Sequence, residues 1–293
     1  MSNAFFGQYL LSKGIIDAQQ LAKALTAQEV LNKKLGELAI EQNLLDENQV
    51  REILALQTKE DLFFGEGAQK LGCLTQAQVN ELVKLQTERH VCLGEVIVKL
   101  GYLTKEQRDE ALAEFIREQN KREKTLPPFS YIEVLKKERP FIEKFTAHTI
   151  RILQRMSGIF VKFDRYEAVN NTFELPEFSA QVDHFNEKGQ RVIRYIILLD
   201  NAIAQTLHSK VCKRNSVDEN EIPQNESICE LLNIICCTSC TSFETFARLN
   251  ASVPKLTSGA ASFTFDTQET VILVYLVTPY GPVRFLLSFI WPE

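Results

Sequence analysis

Hydrophobic positions follow two rhythms along this chain, and the change between them comes near residue 125. Before it, apolar residues recur in short helical bursts, each stopped by Gly or Asn and restarted behind an oxygen-bearing side chain. Gly7, Gly36, Gly65 and Gly94 are spaced by 29 residues each time, so the segment is an array of four repeats without insertions. They read FFGQYLLSKGIIDAQQLAKALTAQ from Phe5, KLGELAIEQNLLDENQVREILALQ from Lys34, FFGEGAQKLGCLTQAQVNELVKLQ from Phe63 and CLGEVIVKLGYLTKEQRDEALAEF from Cys92. Each predicts a helix, a turn and a helix. Gly14, Asn43, Gly72 and Gly101 stand where a left-handed residue ends the first helix. Three residues on, Asp17, Asp46, Thr75 and Thr104 offer an oxygen to the free amides of the second. Leu25, Leu54, Val83 and Leu112 are expected to form the buried stripe of that second helix, with Gln20, Gln49, Gln78 and Gln107 recurring in its opening turn.

The rhythm then breaks. Glu114 to Lys124, EFIREQNKREK, is highly charged, and Thr125-Leu126-Pro127-Pro128 stops any helix. This predicts a repeat domain over residues 1–124, a linker over 125–139 and a second domain over 140–293, with Phe129 to Arg139 either a docking segment or a spacer. From Pro140 an amphipathic helix carries Phe141, Phe145, Ile152 and Met156 and closes at Gly158. Strand signals follow at Phe160 to Phe163, Ser179 to Phe185 and Gln190 to Leu199, the last two joined by a hairpin turn at Asn186-Glu187-Lys188-Gly189. A helix is predicted from Asn201 to about Lys213, then a polar loop, then a long helical run from Gln224 to Leu249. Ala251 to Ser258 is extended around Pro254, and strands at Ser262 to Phe265, Thr270 to Val277 and Val283 to Ile290 complete the chain, with Gly281-Pro282 turning between the last two. The fold class is therefore α+β: an all-α repeat domain, then an antiparallel sheet with helices gathered on one face.

Composition narrows the partners. The 293 residues are 45% hydrophobic and 24% charged, an ordinary globular balance with room for two domains. A net charge of -5 supplies no basic field, so nucleic acid is not expected as a partner. No signal peptide and no apolar span of about 20 residues is read, so the expectation is a cytoplasmic protein without membrane insertion. Seven cysteines, an odd number with four on one helix, are expected as reduced thiols.

The candidate chemistry lies in the run from Gln224. Glu230 and Asn233, three residues apart, share one helix face. Asn is a poor helix-interior residue, here between Leu232 and Ile234, although a Glu and an Asn at this spacing also decorate ordinary solvated faces. Cys229, Cys236, Cys237 and Cys240 share a stripe, and Cys237-Thr238-Ser239-Cys240 matches C-x-x-C. A redox pair wants that motif at a helix amino terminus, and none of His90, His148, His184 and His208 pairs at zinc-ligand spacing. The cysteines are therefore read as buried packing, and no metal site is expected.

Two resemblances add to this reading. As a 24-residue unit with a Leu-Gly near its start, a mid-repeat Gly-x-Leu and a terminal Gln, the repeated segment over about residues 5–115 resembles the MshEN domain of some type II secretion and pilus-assembly ATPases. That resemblance implies cyclic di-GMP as a ligand. The family motif opens Arg-Leu-Gly where this chain has Phe5, Lys34, Phe63 and Cys92, so a nucleotide would be sought at Lys34, Leu35 and Gly36; the alternative is a scaffold whose glycines permit close packing. Over about residues 140–293, Pro140-Phe141-Ile142-Glu143, Met156-Ser157-Gly158-Ile159, Glu230-Leu231-Leu232-Asn233-Ile234-Ile235 and Ala251-Ser252-Val253-Pro254 resemble, in order, the CheX branch of the CheC/CheX/FliY phosphatases of bacterial chemotaxis. This implies hydrolysis of the aspartyl phosphate of a CheY-like receiver by a homodimer. Asn233 would orient the attacking water and Glu230 would hold the receiver's lysine, with Mg2+ supplied by the receiver. The alternative is a non-enzymatic signalling adaptor that binds receivers or cyclic di-GMP.

Overall fold

The structure is a computed structural model that describes residues 5–60, 62–125, 135–169, 172–176, 178–214, 217–243, 248–258, 262–266 and 268–291. The middle of the expected linker, 126–134, with most of the segment from Phe129, lies outside the described residues. Contacts divide the chain into two compact units, Lys13–Ala113 and a second made of Met1–Ser12 with Glu114–Glu293.

The repeats are helix-turn-helix throughout: α1 (Phe6–Ser12) and α2 (Ala18–Leu31), α3 (Leu35–Glu41) and α4 (Glu47–Glu60), α5 (Phe64–Lys70) and α6 (Gln76–Glu88), α7 (Leu93–Lys99) and α8 (Lys105–Thr125). The turn residues Gly14, Asn43, Gly72 and Gly101 have φ of 67°, 55°, 69° and 73°, the left-handed region anticipated from their identity. The recurring Gln proves to be half of a capping box. Asp46 Oδ1 accepts from the Gln49 amide at 2.8 Å while Gln49 Oε1 accepts from the Asp46 amide at 2.9 Å, and Asp17–Gln20, Thr75–Gln78 and Thr104–Gln107 repeat the exchange.

The expected stripe is displaced by one residue. Leu25 is buried, but Leu54 and Leu112 are half-buried and Val83 is 46% exposed, while Ala24, Ile53, Leu82 and Ala111 lie in the core. Successive helix residues are about 100° apart, so one step moves a side chain from the wall of the core to its edge. The terminal glutamines also tie the array together: Gln28, Gln57 and Gln86 donate Nε2–H to the carbonyls of Val91, Leu62 and Lys33, each at 3.0 Å. Those carbonyls are themselves 29 residues apart, so one tie recurs in three settings.

The second rhythm builds α9 (Arg139–Ser157), β1 (Lys162–Ala168), β2 (Thr172–Glu174), β3 (Phe178–Phe185), β4 (Arg191–Leu199), α10 (Asn201–Arg214), α11 (Gln224–Phe243), β5 (Asn250–Ala251), β6 (Lys255–Ser258), β7 (Ser262–Thr264), β8 (Thr270–Thr278) and β9 (Gly281–Phe289). An antiparallel sheet runs β1-β8-β9-β4-β3-β5, with β6 also on β3, and β2 pairs β7 in a separate ribbon. Pro254, which donates no ladder hydrogen bond, stands between β5 and β6. The first strand starts two residues later than predicted and runs on to Ala168; β2 was not anticipated, and 244–247 of the long helical run fall outside the described residues.

Alternation sorts the sheet's side chains. Tyr195, Ile197, Val274 and Phe285 face a core shared with α9, α10 and α11, so the helices do gather on one face. Ile196, Leu198, Leu273 and Leu286 face the other way into a smaller cluster with Leu175, Phe173, Phe263 and Phe265 around the β2–β7 ribbon. Burial on both faces is why β4, β8 and β9 read as nearly continuous apolar runs.

Candidate functional site

The site helix is α11, and its two sides separate cleanly. Ile228, Leu231, Leu232, Ile235 and Cys236 are buried in the main core, whereas Glu226, Glu230, Asn233, Cys237 and Thr241 are exposed. The steps between these exposed residues, four, three, four and four, trace one helix face. Glu230 and Asn233 are thus brought together, as their spacing predicts, on the solvent side of an element whose opposite side is fixed by packing.

Histidines from the two neighbouring helices fix α11 near each end. His208 of α10 is buried, with Nε2 3.2 Å from the Glu219 carbonyl and Nδ1 2.8 Å from Ser227 Oγ in the first turn of α11. A ring protonated on Nε2 donates to the carbonyl, and its Nδ1 faces both the Ser227 hydroxyl, which itself donates to the Gln224 carbonyl at 3.0 Å, and the Cys212 thiol at 3.6 Å. Toward the other end, Ser239 Oγ donates to the Ile235 carbonyl at 2.8 Å and lies 3.1 Å from His148 Nδ1 of α9. Sequence spacing presents these histidines only as rejected zinc ligands and misses their part in holding α11. The available signal was Ser227 and Ser239, hydroxyls on the apolar side of the helix, where burial demands a partner.

The cysteines do not act as one stripe. Cys236 is fully buried and burial pushes its thiol well above the ordinary range; burial raises half-buried Cys229 as well and takes Cys240 up to about 12. Cys237, read from sequence as packing, is exposed beside the site, and its thiol donates to Asn233 Oδ1 at 3.5 Å. One helical step, about 100°, separates it from Cys236 and turns it from core to solvent. Among the described residues no group of three or more His, Cys, Asp or Glu is placed to hold a metal ion. Nor is any described helix long and apolar enough to cross a membrane.

At the second candidate site, Lys34 precedes α3 and its amide donates to Glu37 Oε2 at 2.8 Å, while Leu35 packs on the repeat core. A Cβ at Gly36 would meet Val50 Cγ1 at 3.1 Å and the Phe64 ring at 3.2 Å, so this glycine serves close packing inside the array. The exposed cations beside it, Lys33 and Arg89, both bind Glu41, at 3.1 and 3.0 Å, and hold its carboxyl below the usual range.

No family model matches the chain, and no curated protein matches it. Among solved structures, the chain is similar to the chemotaxis protein CheX of Desulfovibrio desulfuricans, at 15% identity over 52% of this chain and 99% of that one, with a TM-score of 0.45. It is similar to CheX of Vibrio vulnificus, at 15% identity over 52% and 99%, TM-score 0.43. A further likeness is to a CheX–CheY–BeF3–Mg complex from Borrelia burgdorferi, at 15% identity over 52% and 98%, TM-score 0.38.

Proposed function

We propose that the α+β domain docks on a CheY-like receiver and hydrolyses its aspartyl phosphate. The observation that carries this reading is the exposure of Glu230 and Asn233, side by side, on a helix whose other face is locked into the core. Phosphoryl transfer asks little covalent chemistry of a catalyst and much positioning of water. A carboxamide on a rigid helix suits that role, because Asn233 Oδ1 accepts a hydrogen bond from the water and leaves the water's lone pair aimed at phosphorus. The Glu230 carboxylate, with Glu226 one turn before it on the same face, presents negative charge to the ammonium of a receiver lysine. Mg2+ belongs to the receiver's own site and neutralises its phosphoryl oxygens. The repeat array then serves as a targeting module.

One observation favours a second reading, an adaptor that binds receivers without hydrolysis. The Cys237 thiol already occupies Asn233 Oδ1, the atom required to orient water. Dephosphorylation and binding of a panel of phosphorylated receivers separate the two. In the phosphatase reading Asn233→Ala lowers the rate on the order of 100-fold with binding kept, and Glu230→Ala weakens binding. Equal rates for wild type and Asn233→Ala sink hydrolysis, and binding without turnover on every receiver selects the adaptor.

A further inference from the structure

We propose that Cys237 and Cys240 form a reversible disulfide across one turn of α11, and that this bond releases the Asn233 carboxamide from Cys237. Two placements carry the inference. Cys237 is exposed and Cys240 half-buried three residues later, inside the helix Gln224–Phe243. Helix geometry puts Cα atoms at that spacing about 5 Å apart, within the window of about 4.4–6.8 Å that a disulfide spans, while the Cβ atoms, about 5–6 Å apart in a regular helix, must close to about 3.5–4.5 Å; the bond therefore requires a local distortion of the last described turn, which ends at Phe243. The other thiols of the helix are worse placed: Cys236 is adjacent in sequence and fully buried, and Cys229 lies eight residues away from Cys237.

Direction matters as much as distance. Helix side chains lean toward the amino terminus, so Cys240 leans back toward Cys237 while Cys237 leans back toward Asn233, where its Sγ lies 3.5 Å from Oδ1. A bond to Cys240 requires Cys237 to rotate the opposite way. The Asn233 contact is then lost, and the sulfur bridge covers part of the exposed face that carries the site.

The chemistry balances with a low-molecular-weight disulfide as oxidant. Cys237, the exposed thiol, loses its proton to solvent; its sulfur attacks one sulfur of the small disulfide and displaces one small thiol. Cys240, deprotonated in turn, attacks the Cys237 sulfur and displaces the second. Two protein thiols are oxidised, one small disulfide is reduced to two thiols, and a dithiol reverses the sequence. Burial of Cys240 disfavours its thiolate, which makes the second step the slower one.

The effect on turnover rests on the receiver-phosphatase reading; the bond and the release of Asn233 do not. The test treats the full chain, labelled with 15N, with glutathione disulfide and follows three readouts. Peptide mapping is expected to find Cys237 linked to Cys240. The side-chain amide signals of Asn233, identified by their loss in Asn233→Ala, are expected to shift on oxidation and to return with dithiothreitol. Receiver dephosphorylation is expected to change reversibly on oxidation. Cys240→Ser is expected to keep the rate and the spectrum of the reduced protein and to lose both responses. A glutathione adduct alone, a link from Cys237 to any other cysteine, or a 237–240 link that leaves the Asn233 signals in place overturns the proposal. If the reduced protein dephosphorylates no receiver, the phosphatase reading fails, and the map and the amide signals still decide the disulfide.

Discussion

His184 is an ionisable side chain held where ionisation is most expensive. It points inward from β3, fully buried against the Phe145 ring at a centroid separation of 5.2 Å, and among the described residues neither ring nitrogen has a hydrogen-bond partner of good geometry, the Ile193 backbone being its nearest polar neighbour in effect. Burial depresses its pKa from 6.5 to about 4, against small opposing effects of the Ile193 backbone and of Asp183. The folded protein therefore resists the proton that the unfolded chain accepts. Stability from this residue is complete above pH 6.5 and is lost as pH falls toward 4, a total of about 3 kcal/mol at 1.36 kcal/mol per pKa unit. Urea unfolding at pH 7.5 and pH 5 is expected to show wild type losing more stability on acidification than His184→Phe. Equal losses would mean that the pocket admits water. The sequence exposes half of this. Alternation in Ser179 to Phe185 places Val182 and His184 on one face of a strand, but nothing local says that the face is dry. The same limit applied to Cys237, whose identity says small and apolar while its exposure depends on which neighbours α11 meets.

At the scale of the element, what was legible depended on how local the cause is. The left-handed Gly14, Asn43, Gly72 and Gly101 and the capping residues behind them act within one turn, so residue type alone locates them. The displaced stripe depended on which side of a short helix meets its neighbour, a tertiary fact one residue of rotation can reverse. The repeat glycines have likewise different reasons to exist. Gly65 is a packing residue: a Cβ there would lie 2.7 Å from Val79 Cγ1. Gly65→Ala is expected to destabilise the repeat array by about 1–3 kcal/mol through overpacking. Asp46→Ala, which removes one arm of a capping box, is expected to cost about 1 kcal/mol. Far-ultraviolet circular dichroism in denaturant checks both. A neutral Gly65→Ala would show that Val79 can shift and that the recurrence of this glycine has another cause.

For the whole molecule, the first helix does not keep company with the rest of its array. Residues 1–12 cluster with 114–293, and the contacts are specific. Phe6 and Tyr9 pack against the Phe115 ring of α8 in tilted pairs at 5.7 and 5.4 Å, Phe5 meets Phe160 edge-on at 6.0 Å with Lys162 over its ring, and Gln8 Nε2 donates to the Pro279 carbonyl at 2.6 Å. Sequence periodicity hid this, because α1 obeys the same 29-residue spacing as its siblings. The visible signal was a substitution: Phe115 stands where the other repeats place Gln28, Gln57 and Gln86. An aromatic residue replaces the amide tie and is covered by other aromatic residues. Deleting residues 1–12 should therefore weaken the α+β unit more than the array. The chain's single tryptophan reports on that unit, since Trp291 packs on Phe141 and Phe289 and donates to Glu138 at 2.8 Å. Tyr9 and Leu10 are fully buried, and losing these two side chains removes about 3–6 kcal/mol, at about 1.5–3 kcal/mol each. In a unit of this size each kcal/mol moves the midpoint by about 2–4 °C. The truncated chain is thus expected to show tryptophan fluorescence melting on the order of 10 °C lower, while a midpoint unchanged within about 2 °C would return α1 to the array.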